Sequence, residues 1–357
     1  MMINDRSDVK GQSARGALLE GPTPAPLASD CAWGLSLFSR FCIIMAIAWL
    51  ILCVYGWGSW IISPSYFKPL PHGPDEFNTG RLFLMRVLEI AGLIVFISMF
   101  YALLIRPWRK GKGLTTEGAI FLGFSLGFFW DPTINYFHWA FAWNTHMLNM
   151  GDWLPFIPGH RFNHRVADGV AWALPQYSYL TLLQAVLMVR GIRAMRARCI
   201  GMLPAFFAVC AACFVADIIW EMTVILLEFY AYPRGFSWFT LFPGQWYQFP
   251  LNEAVSVALL SVGPALLLLA VKEGRPHFLE RGLASVSSRL RPAAVFIAVV
   301  GFCAMTPGVT YFIPWMAIST VTDSNVPVWR YPSYMRYDAA IESPGPVQPL
   351  KKEGIEG

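Results

Sequence analysis

The sequence predicts an all-α fold, a polytopic membrane bundle of about seven transmembrane helices. Hydrophobic residues make up 56% of its 357 residues and charged residues only 14%, whereas soluble globular proteins carry about 25% charge. Apolar stretches long enough to cross the hydrocarbon core, about 20 residues, recur along the chain. The basic residues concentrate in alternate loops between these stretches, as they do in multi-pass membrane proteins.

Seven stretches are placed as spans, near 41–62, 82–105, 115–130, 170–189, 201–229, 252–271 and 293–317. The third is short and ends at Asp131-Pro132, a pair that begins helices as N-cap and first-turn residue. We therefore expect a separate aromatic helix over 132–150, which lies in the interface or re-enters the bundle. Counting it as an eighth span is the alternative, but that would disturb the charge pattern.

The chain divides into one membrane domain and two tails. Residues 1–32 are polar and lack the basic start and apolar core of a signal peptide, so we expect a disordered cytoplasmic tail. Residues 33–318 form a single transmembrane helical domain. Residues 319–357 form an external tail, whose first part packs on the outer face and whose end is disordered.

Charge in the loops predicts the orientation. Basic clusters at 106–112, 190–198 and 272–291 follow the second, fourth and sixth spans, and such loops are cytoplasmic. The sequence thus predicts a multi-pass protein of the inner (plasma) membrane with its N-terminus cytoplasmic and its C-terminus external. Two aromatic stretches, 130–160 and 231–253, then share the outer face. The net charge of +5 is confined mostly to these loops and indicates no nucleic-acid partner.

The fifth span carries an unusual set of acidic residues. Asp217, Glu221 and Glu228 stand at i, i+4 and i+11, within roughly 40° of one another on a helix. An ionisable side chain in the bilayer core costs about 2.5 kcal/mol or more, so it marks a functional site. A carboxyl group in an apolar site resists ionisation and can act as a general acid. Alternatively, these groups pair with Arg86 or a tyrosine to fix helix packing.

Further candidates lie in the aromatic stretches. Asp131, Asn135 and His138 at i, i+4 and i+7 would share a helix face and could position and protonate an oxygenated substrate. Alternatively, Asp131 is only a cap and His138 an interfacial residue. Asp131 and Glu253 are the next candidates for the catalytic acid. The other candidate substrate-binding residues are Tyr136, Asn144, Asn149, Trp246, Tyr247 and Arg86.

Several classes of site are not expected. Arg86 and Glu89 at i, i+3 favour a structural ion pair, although Arg86 could face a fifth-span carboxylate. The six histidines are too few and too scattered for a membrane di-iron centre, and nucleotide-binding, flavin and haem motifs do not occur in a usable context. We expect neither metal nor cofactor. The aromatic residues suit either an interfacial belt or a pocket whose ring faces stabilise a cation.

Two blocks of residues carry a resemblance to a known family. The first contains Asp131-Pro132, Asn135-Tyr136, Asn144, Asn149, Gly151 and Phe156-Ile157-Pro158-Gly159. The second contains Ala231-Tyr232-Pro233, Gln248-Phe249-Pro250 and Glu253. Over roughly 80–275 the chain resembles the AveC-like family of integral membrane proteins. The resemblance implies spiroketal formation in secondary metabolism, in which a dihydroxy-ketone cyclises with loss of water and without a redox cofactor.

Three functions remain in view. The first is a membrane-embedded cyclase or dehydratase for a lipophilic polyketide-, terpenoid- or sterol-like substrate, with membrane lipids as its other partners. The second is a transporter or lipophilic-ligand binding protein that uses the same carboxylates, although the broken helices of an inverted repeat are not visible. The third is a scaffold. For the first, we expect Asp131, Asn135, Asp217 and Glu221 to converge on one outer-leaflet cavity lined by Trp and Tyr.

Overall fold

The computed structural model describes residues 29–111 and 113–342, and helices dominate it. The expected all-α fold is therefore confirmed. The first helix begins at Ser29, a few residues before the expected domain boundary. Most of the expected N-terminal tail and the end of the C-terminal tail lie outside the described residues.

The helices are α1 (Ser29–Ile61), α2 (Thr79–Phe100), α3 (Arg106–Arg109), α4 (Thr116–Gly127), α5 (Val170–Pro175), α6 (Thr181–Arg196), α7 (Met202–Leu226), α8 (Leu251–Leu260), α9 (Val262–Lys272), α10 (Phe278–Gly282), α11 (Arg291–Pro307), α12 (Ile313–Val321) and α13 (Asp338–Ile341). Three π-helical turns join α2 to α3, α5 to α6 and α11 to α12, at Tyr101–Ile105, Gln176–Leu180 and Gly308–Phe312. Short 3₁₀ turns lie at Phe128–Asn135, Leu154–Phe156, Ser237–Phe239, Val328–Arg330 and Ser333–Met335. Two antiparallel ribbons pair β1 (Ala142–Trp143) with β2 (Tyr230–Ala231), and β3 (Thr240–Leu241) with β4 (Phe249–Pro250).

Five helical segments in the described part of the chain are long and apolar enough to cross a membrane: Gly34–Ile61, Thr79–Arg109, Met202–Leu226, Leu251–Lys272 and Arg291–Val321. They coincide with the expected first, second, fifth, sixth and seventh spans. The expected third span falls on α4, which has 12 residues, and the expected fourth on α5 and α6. The count of seven spans stays a prediction.

The basic loops meet at one end of the bundle. Arg196 at the end of α6 pairs with Glu273 after α9, with Nη1 2.6 Å from Oε1. Lys272 pairs with Glu117 at the start of α4, with Nζ 3.6 Å from Oε1. The loops that the charge pattern assigns to one side therefore lie together. We call this the basic end.

The two aromatic stretches meet at the opposite end, which we call the cap. In the β1–β2 ribbon, Ala142 lies opposite Ala231 and Trp143 opposite Tyr230. The chain after α12 covers this ribbon, since the N–H of Thr145 donates to the carbonyl of Tyr334 at 2.7 Å. The first part of the C-terminal segment therefore packs against the aromatic stretches.

The expected helix over 132–150 is wrong. The 3₁₀ turn ends at Asn135, whose Oδ1 accepts the N–H groups of Ala140 and Phe141 at 2.8 and 2.9 Å. Its Nδ2 donates to the carbonyl of Phe141 at 3.0 Å. The side-chain amide thus takes the backbone bonds that a helix would need, and the chain turns back. Asp131 is accordingly not the N-cap of a helix that begins at residue 132.

Small residues allow α1, α4 and α11 to approach closely. A Cβ on Gly301 of α11 would lie 2.0 Å from the carbonyl oxygen of Cys42 on α1. A Cβ on Gly123 of α4 would lie 2.5 Å from the Cβ of Cys303. Glycine at such crossings is characteristic of membrane helix bundles, whose helices associate through close packing.

We predict that Gly301→Ala destabilises the bundle, because the added methyl group meets backbone that cannot yield. Overpacking of this kind costs about 1–3 kcal/mol, which lowers the midpoint of thermal unfolding in detergent. Gly58→Ala on α1 is the matched control, since a Cβ there has no heavy atom within 4 Å among the described residues. Equal midpoints for the two variants would contradict the packing argument.

We predict opposite sides of the membrane for the basic end and the cap. Cys199 is exposed after α6, and Trp238 in the cap is 81% exposed. A membrane-impermeant maleimide should label Trp238→Cys in intact cells, whereas Cys199 should react only after permeabilisation. Cys199→Ser provides the background. Labelling of both positions in intact cells would contradict the predicted topology.

Candidate active site

A cavity of about 610 Å³ lies between α6 and α7 and reaches the underside of the cap. Its polar residues gather at the cap end, where the β1–β2 ribbon and the start of α8 close it. Aromatic rings form the walls there, and they belong to Phe141, Trp143, Trp172, Tyr177, Tyr230, Tyr232, Tyr311 and Phe312. The remainder of the lining is largely aliphatic. The cavity is therefore polar at one end and apolar along its length.

Three carboxyl groups converge at the polar end. Asp217 and Glu221 lie one turn apart on α7, and Glu253 lies in the first turn of α8. Each offers an oxygen within 4.8 Å of the others. Glu221 and Glu253 are buried, with 7% and 2% of their surface exposed. This carboxyl cluster, Asp217, Glu221 and Glu253, is brought together by the packing of α8 against α7.

Two tyrosines fix the orientation of Glu221. The hydroxyl of Tyr230 donates to Oε1 at 2.7 Å, and the hydroxyl of Tyr232 donates to Oε2 at 3.0 Å. Burial, followed by the nearby Glu221 carboxyl group, raises the pKa of both tyrosines well above the ordinary range. Both therefore remain hydroxyl donors at neutral pH, and Glu221 keeps one orientation.

Asp217 and Glu253 have unused oxygens. Their carboxyl groups face each other, and Asp217 Oδ2 and Glu253 Oε2 are buried without a hydrogen-bond partner among the described residues. Three carboxyl groups this close in an apolar site cannot all be charged, because like charges repel strongly in a low dielectric. The carboxyl cluster therefore needs a proton or a cation to neutralise part of its charge.

Asp131 lies on the opposite wall of the cavity. Its Oδ2 accepts the indole N–H of Trp143 at 3.0 Å, and its Oδ1 accepts the hydroxyl of Tyr177 at 2.9 Å. Burial raises the pKa of Asp131 to about 6, although these bonds oppose the shift. Behind it, Asp168 is buried without a donor to either oxygen among the described residues. Burial and then the charge of Asp131 hold the pKa of Asp168 well above its ordinary range.

The carboxyl cluster has the chemistry to hold either a shared proton or a metal ion. Its oxygens have the spacing and chemistry that a hard divalent cation takes. Both oxygens of Glu221 also accept tyrosine hydroxyls, which leaves Glu221 only its remaining lone pairs for a cation. A proton held between Asp217 and Glu253 needs no further ligand and uses their two unpartnered oxygens.

Four residues proposed from the sequence, Asp131, Asp217, Glu221 and Glu253, line one cavity. The eight proposed for substrate binding lie outside its lining: Asn135, Tyr136, His138, Asn144, Asn149, Trp246, Tyr247 and Arg86. The expectation that Asn135 faces the cavity with Asp131 is therefore wrong. Several of the eight have polar groups that already hold the cap. Asn149, for example, accepts the N–H of Leu70 at 3.2 Å and donates to the carbonyl of Thr145 at 2.7 Å.

The side chains of Tyr136 and Asn144 also form hydrogen bonds with the backbone of the cap and do not face the cavity. The hydroxyl of Tyr136 donates to the carbonyl of Pro158 at 2.6 Å. Nδ2 of Asn144 donates to the carbonyl of Glu228 at 2.6 Å. Trp246 and Tyr247 stack edge-to-face on each other, with ring centroids 5.5 Å apart. These side chains support the cap and do not reach the carboxyl cluster.

Arg86, Glu228 and His138 also lie outside the cavity. Arg86 pairs with Glu89 and donates to the carbonyl of His146, which agrees with the structural interpretation of that pair. Glu228 lies beyond the end of α7 with φ of 65°, where it pairs with Arg81. It therefore does not continue the face of Asp217 and Glu221. His138 is exposed and lines a separate surface cavity in the cap.

Sequence reasoning missed Asp168 and the tyrosines that hold the carboxylates. One signal was available, because Tyr230 and Tyr232 are separated by one residue and extended chain places such residues on the same side. Tyr177 lies on the π-helical turn between α5 and α6, which periodicity does not predict. Asp168 precedes an apolar helix, and nothing nearby in the sequence marks its contact with Asp131.

Comparison with known proteins identifies the family. The sequence model of the AveC-like spirocyclases matches residues 112–331, which is more than half of the 357 residues. The chain belongs to the AveC-like spirocyclase family. The matched segment includes all three residues of the carboxyl cluster, as well as Asp131 and Asp168. No curated protein and no solved structure matches the chain.

We predict that Asn135→Ala lowers stability strongly, whereas His138→Ala does not. The first change leaves buried backbone groups at Ala140 and Phe141 without partners, and each such group costs about 1–3 kcal/mol. The second removes an exposed ring. Thermal unfolding of both variants in the same detergent gives the comparison, and an equal or larger loss for His138→Ala would contradict the role of Asn135 in holding this turn.

Proposed function

We propose that this protein is a membrane-embedded, cofactor-independent cyclase, which closes oxygen rings with loss of water on a lipophilic polyketide- or terpenoid-like substrate. The carboxyl cluster inside an aromatic cavity is the observation that carries the proposal. Membership of the AveC-like family supports the class of reaction. The apolar helices around the cavity support a site within the membrane.

The reaction is acid–base chemistry throughout. One hydroxyl of a dihydroxy-ketone adds to the carbonyl carbon and gives a hemiketal. Protonation of the hemiketal hydroxyl allows water to leave, and an oxocarbenium ion remains. The second hydroxyl attacks this ion and loses its proton. Two C–O ring bonds form, one water molecule is released, and no electrons are transferred to or from the substrate.

The cluster supplies both a proton donor and an acceptor. We assign the proton held between Asp217 and Glu253 to the departing hydroxyl, because their unpartnered oxygens line the cavity. Glu221 then accepts the proton of the attacking hydroxyl, with its carboxyl group held in place by Tyr230 and Tyr232. General acid–base catalysis works best when such groups are positioned before the substrate arrives.

The aromatic walls suit the cationic intermediate. Trp143, Trp172 and Phe312 line the cavity beside the carboxyl groups, and aromatic faces attract cations. Asp131, on the opposite wall and held by Trp143 and Tyr177, is placed to orient a substrate hydroxyl. Nearby carboxylates also lower the energy of an oxocarbenium ion by charge attraction.

We predict that Glu221→Gln and Asp217→Asn nearly abolish ring closure. The amides keep the size of the carboxyl groups but cannot exchange a proton, and general acid–base catalysis contributes about 10²- to 10⁴-fold in rate. Purified protein in nanodiscs with a synthetic long-chain dihydroxy-ketone provides the assay. Mass spectrometry follows the loss of water, and chiral chromatography separates enzymatic product from spontaneous cyclisation.

The control is Glu228→Gln, which removes a carboxylate next to α7 but outside the cavity. It should retain stereoselective ring closure when rates are corrected for folded protein. Normal rates in both Glu221→Gln and Asp217→Asn would refute the assigned roles. Substrate movement across the bilayer without any covalent change would instead indicate a transporter. Activity lost on chelation and restored by a divalent cation would replace the shared proton with a metal ion.

A further inference from the structure

The cavity is open along the seam between α6 and α7. On α7, Ala208, Ala212 and Ala216 recur every four residues, line the cavity and are exposed. On α6, Leu183 and Leu187 also line the cavity, with 49% and 53% of their surface exposed. Residues that belong at once to the lining and to the outer surface mark an opening. This opening faces sideways, between two helices.

The two helices approach closely near the basic end. A Cβ on Gly191 of α6 would lie 3.0 Å from Cγ2 of Val209 on α7. Toward the cap, two tryptophans that line the cavity bound the opening. The rings of Trp172 and Trp220 are parallel within 2°, with centroids 6.2 Å apart. The space between these two limits spans roughly 12 residues of α7, or about 18 Å.

Contacts behind the cavity tie α6 to the α8–α9 junction. The hydroxyl of Ser261, at the junction of α8 and α9, donates to Oε1 of Gln184 at 2.9 Å, and its oxygen also lies 3.3 Å from the carbonyl oxygen of Thr181. Val257 and Leu260 complete an apolar back wall. The π-helical turn before α6 adds to the width, since Gln176, Tyr177 and Leu180 all line the cavity. Such turns are frequent at functional sites.

The buried carboxyl oxygens without a donor among the described residues lie at the inner end of this space. Asp217 Oδ2 and Glu253 Oε2 are buried, unpartnered within the described structure and part of the carboxyl cluster. A ligand with oxygen or hydroxyl groups at that end can exchange hydrogen bonds with these carboxyl groups. Along the rest of α6 and α7 it meets mainly alkyl groups, which favour an apolar body.

We infer that the α6–α7 seam is a lateral portal, through which an elongated amphiphile reaches the carboxyl cluster directly from the lipid bilayer. The oxygenated end of the substrate lies against Asp217 and Glu253. Its apolar chain or ring system lies along Ala208, Ala212 and Ala216. The inference rests on the proposed function and adds a substrate shape and a route to the site. It favours a lipophilic substrate over a small water-soluble one.

The test uses a photoreactive probe, a long-chain hydroxy-ketone that carries a diazirine near the end of its alkyl chain. Irradiation in phosphatidylcholine nanodiscs should attach the probe to peptides of α6 and α7. Ala212→Trp fills the seam and should reduce this labelling. Val215→Trp is the matched control, because Val215 is 54% exposed on α7 but does not line the cavity.

The same pair of variants should separate substrates by length. We expect Ala212→Trp to lower kcat/KM for a long-chain dihydroxy-ketone at least about tenfold, ~1.4 kcal/mol. A short dihydroxy-ketone that occupies only the polar end should be affected much less, and Val215→Trp should resemble the unmodified protein. If Ala212→Trp does not fold, Ala208→Phe blocks the seam at its narrow end.

Three results would overturn the portal. They are equal labelling of Ala212→Trp and Val215→Trp, probe attachment outside α6 and α7, and attachment of a diazirine phospholipid but not of the hydroxy-ketone. The last would identify a structural lipid in the seam. Glu221→Gln separates this inference from the proposed function, because it should keep the labelling pattern while ring closure is lost. Labelling at the seam with undiminished ring closure in Glu221→Gln would retain the portal and reject the assigned chemistry.

Discussion

The hydrogen bonds from Tyr230 and Tyr232 to Glu221 connect the helical bundle to its cap. They orient a buried carboxyl group on α7, and they exist only while the chain after α7 turns back into β2. That turn depends on the β1–β2 ribbon, and on Asn144, whose side chain donates to the carbonyl of Glu228. Residues that never touch the cavity therefore determine the geometry within it. This explains why so many polar side chains of the aromatic stretches serve the backbone.

Burying three carboxyl groups together is costly, and nothing in the packing of α7 against α8 requires it. Leucine or methionine at these positions would fill the space without charge repulsion. Glu89 shows the ordinary solution for an acidic residue in an apolar helix, because Arg86 and the N–H of Leu148 satisfy its carboxylate. Asp217 and Glu253 have no such basic partner among the described residues. The contrast within one molecule favours a role in proton transfer for the cluster.

Helical periodicity accounts for the part of the site that sequence predicts. Asp217 and Glu221 share a face because four residues make about one turn, and apolar length locates α7 and α8. The rest depends on contacts between distant segments. Asn135 ends a turn by accepting backbone bonds from residues ahead of it, so the spacing that would align it with Asp131 and His138 does not apply. Glu228 leaves the shared face because α7 stops at Leu226. Asp168 reaches Asp131 only through the fold.

The proposed reaction makes the product less polar than the substrate, and this change agrees with a portal that opens to the bilayer. A dihydroxy-ketone has two hydroxyl donors that an apolar site must satisfy, and the carboxyl cluster and Asp131 supply acceptors at one end of the cavity. Ring closure converts both hydroxyls into ether oxygens, which donate no hydrogen bonds, so the product loses its main attraction to the carboxyl groups. Its preference for the bilayer rises at the same step. A seam lined by alanine and leucine then lets the product leave into lipid, while the released water is the only polar product that remains beside the carboxyl groups.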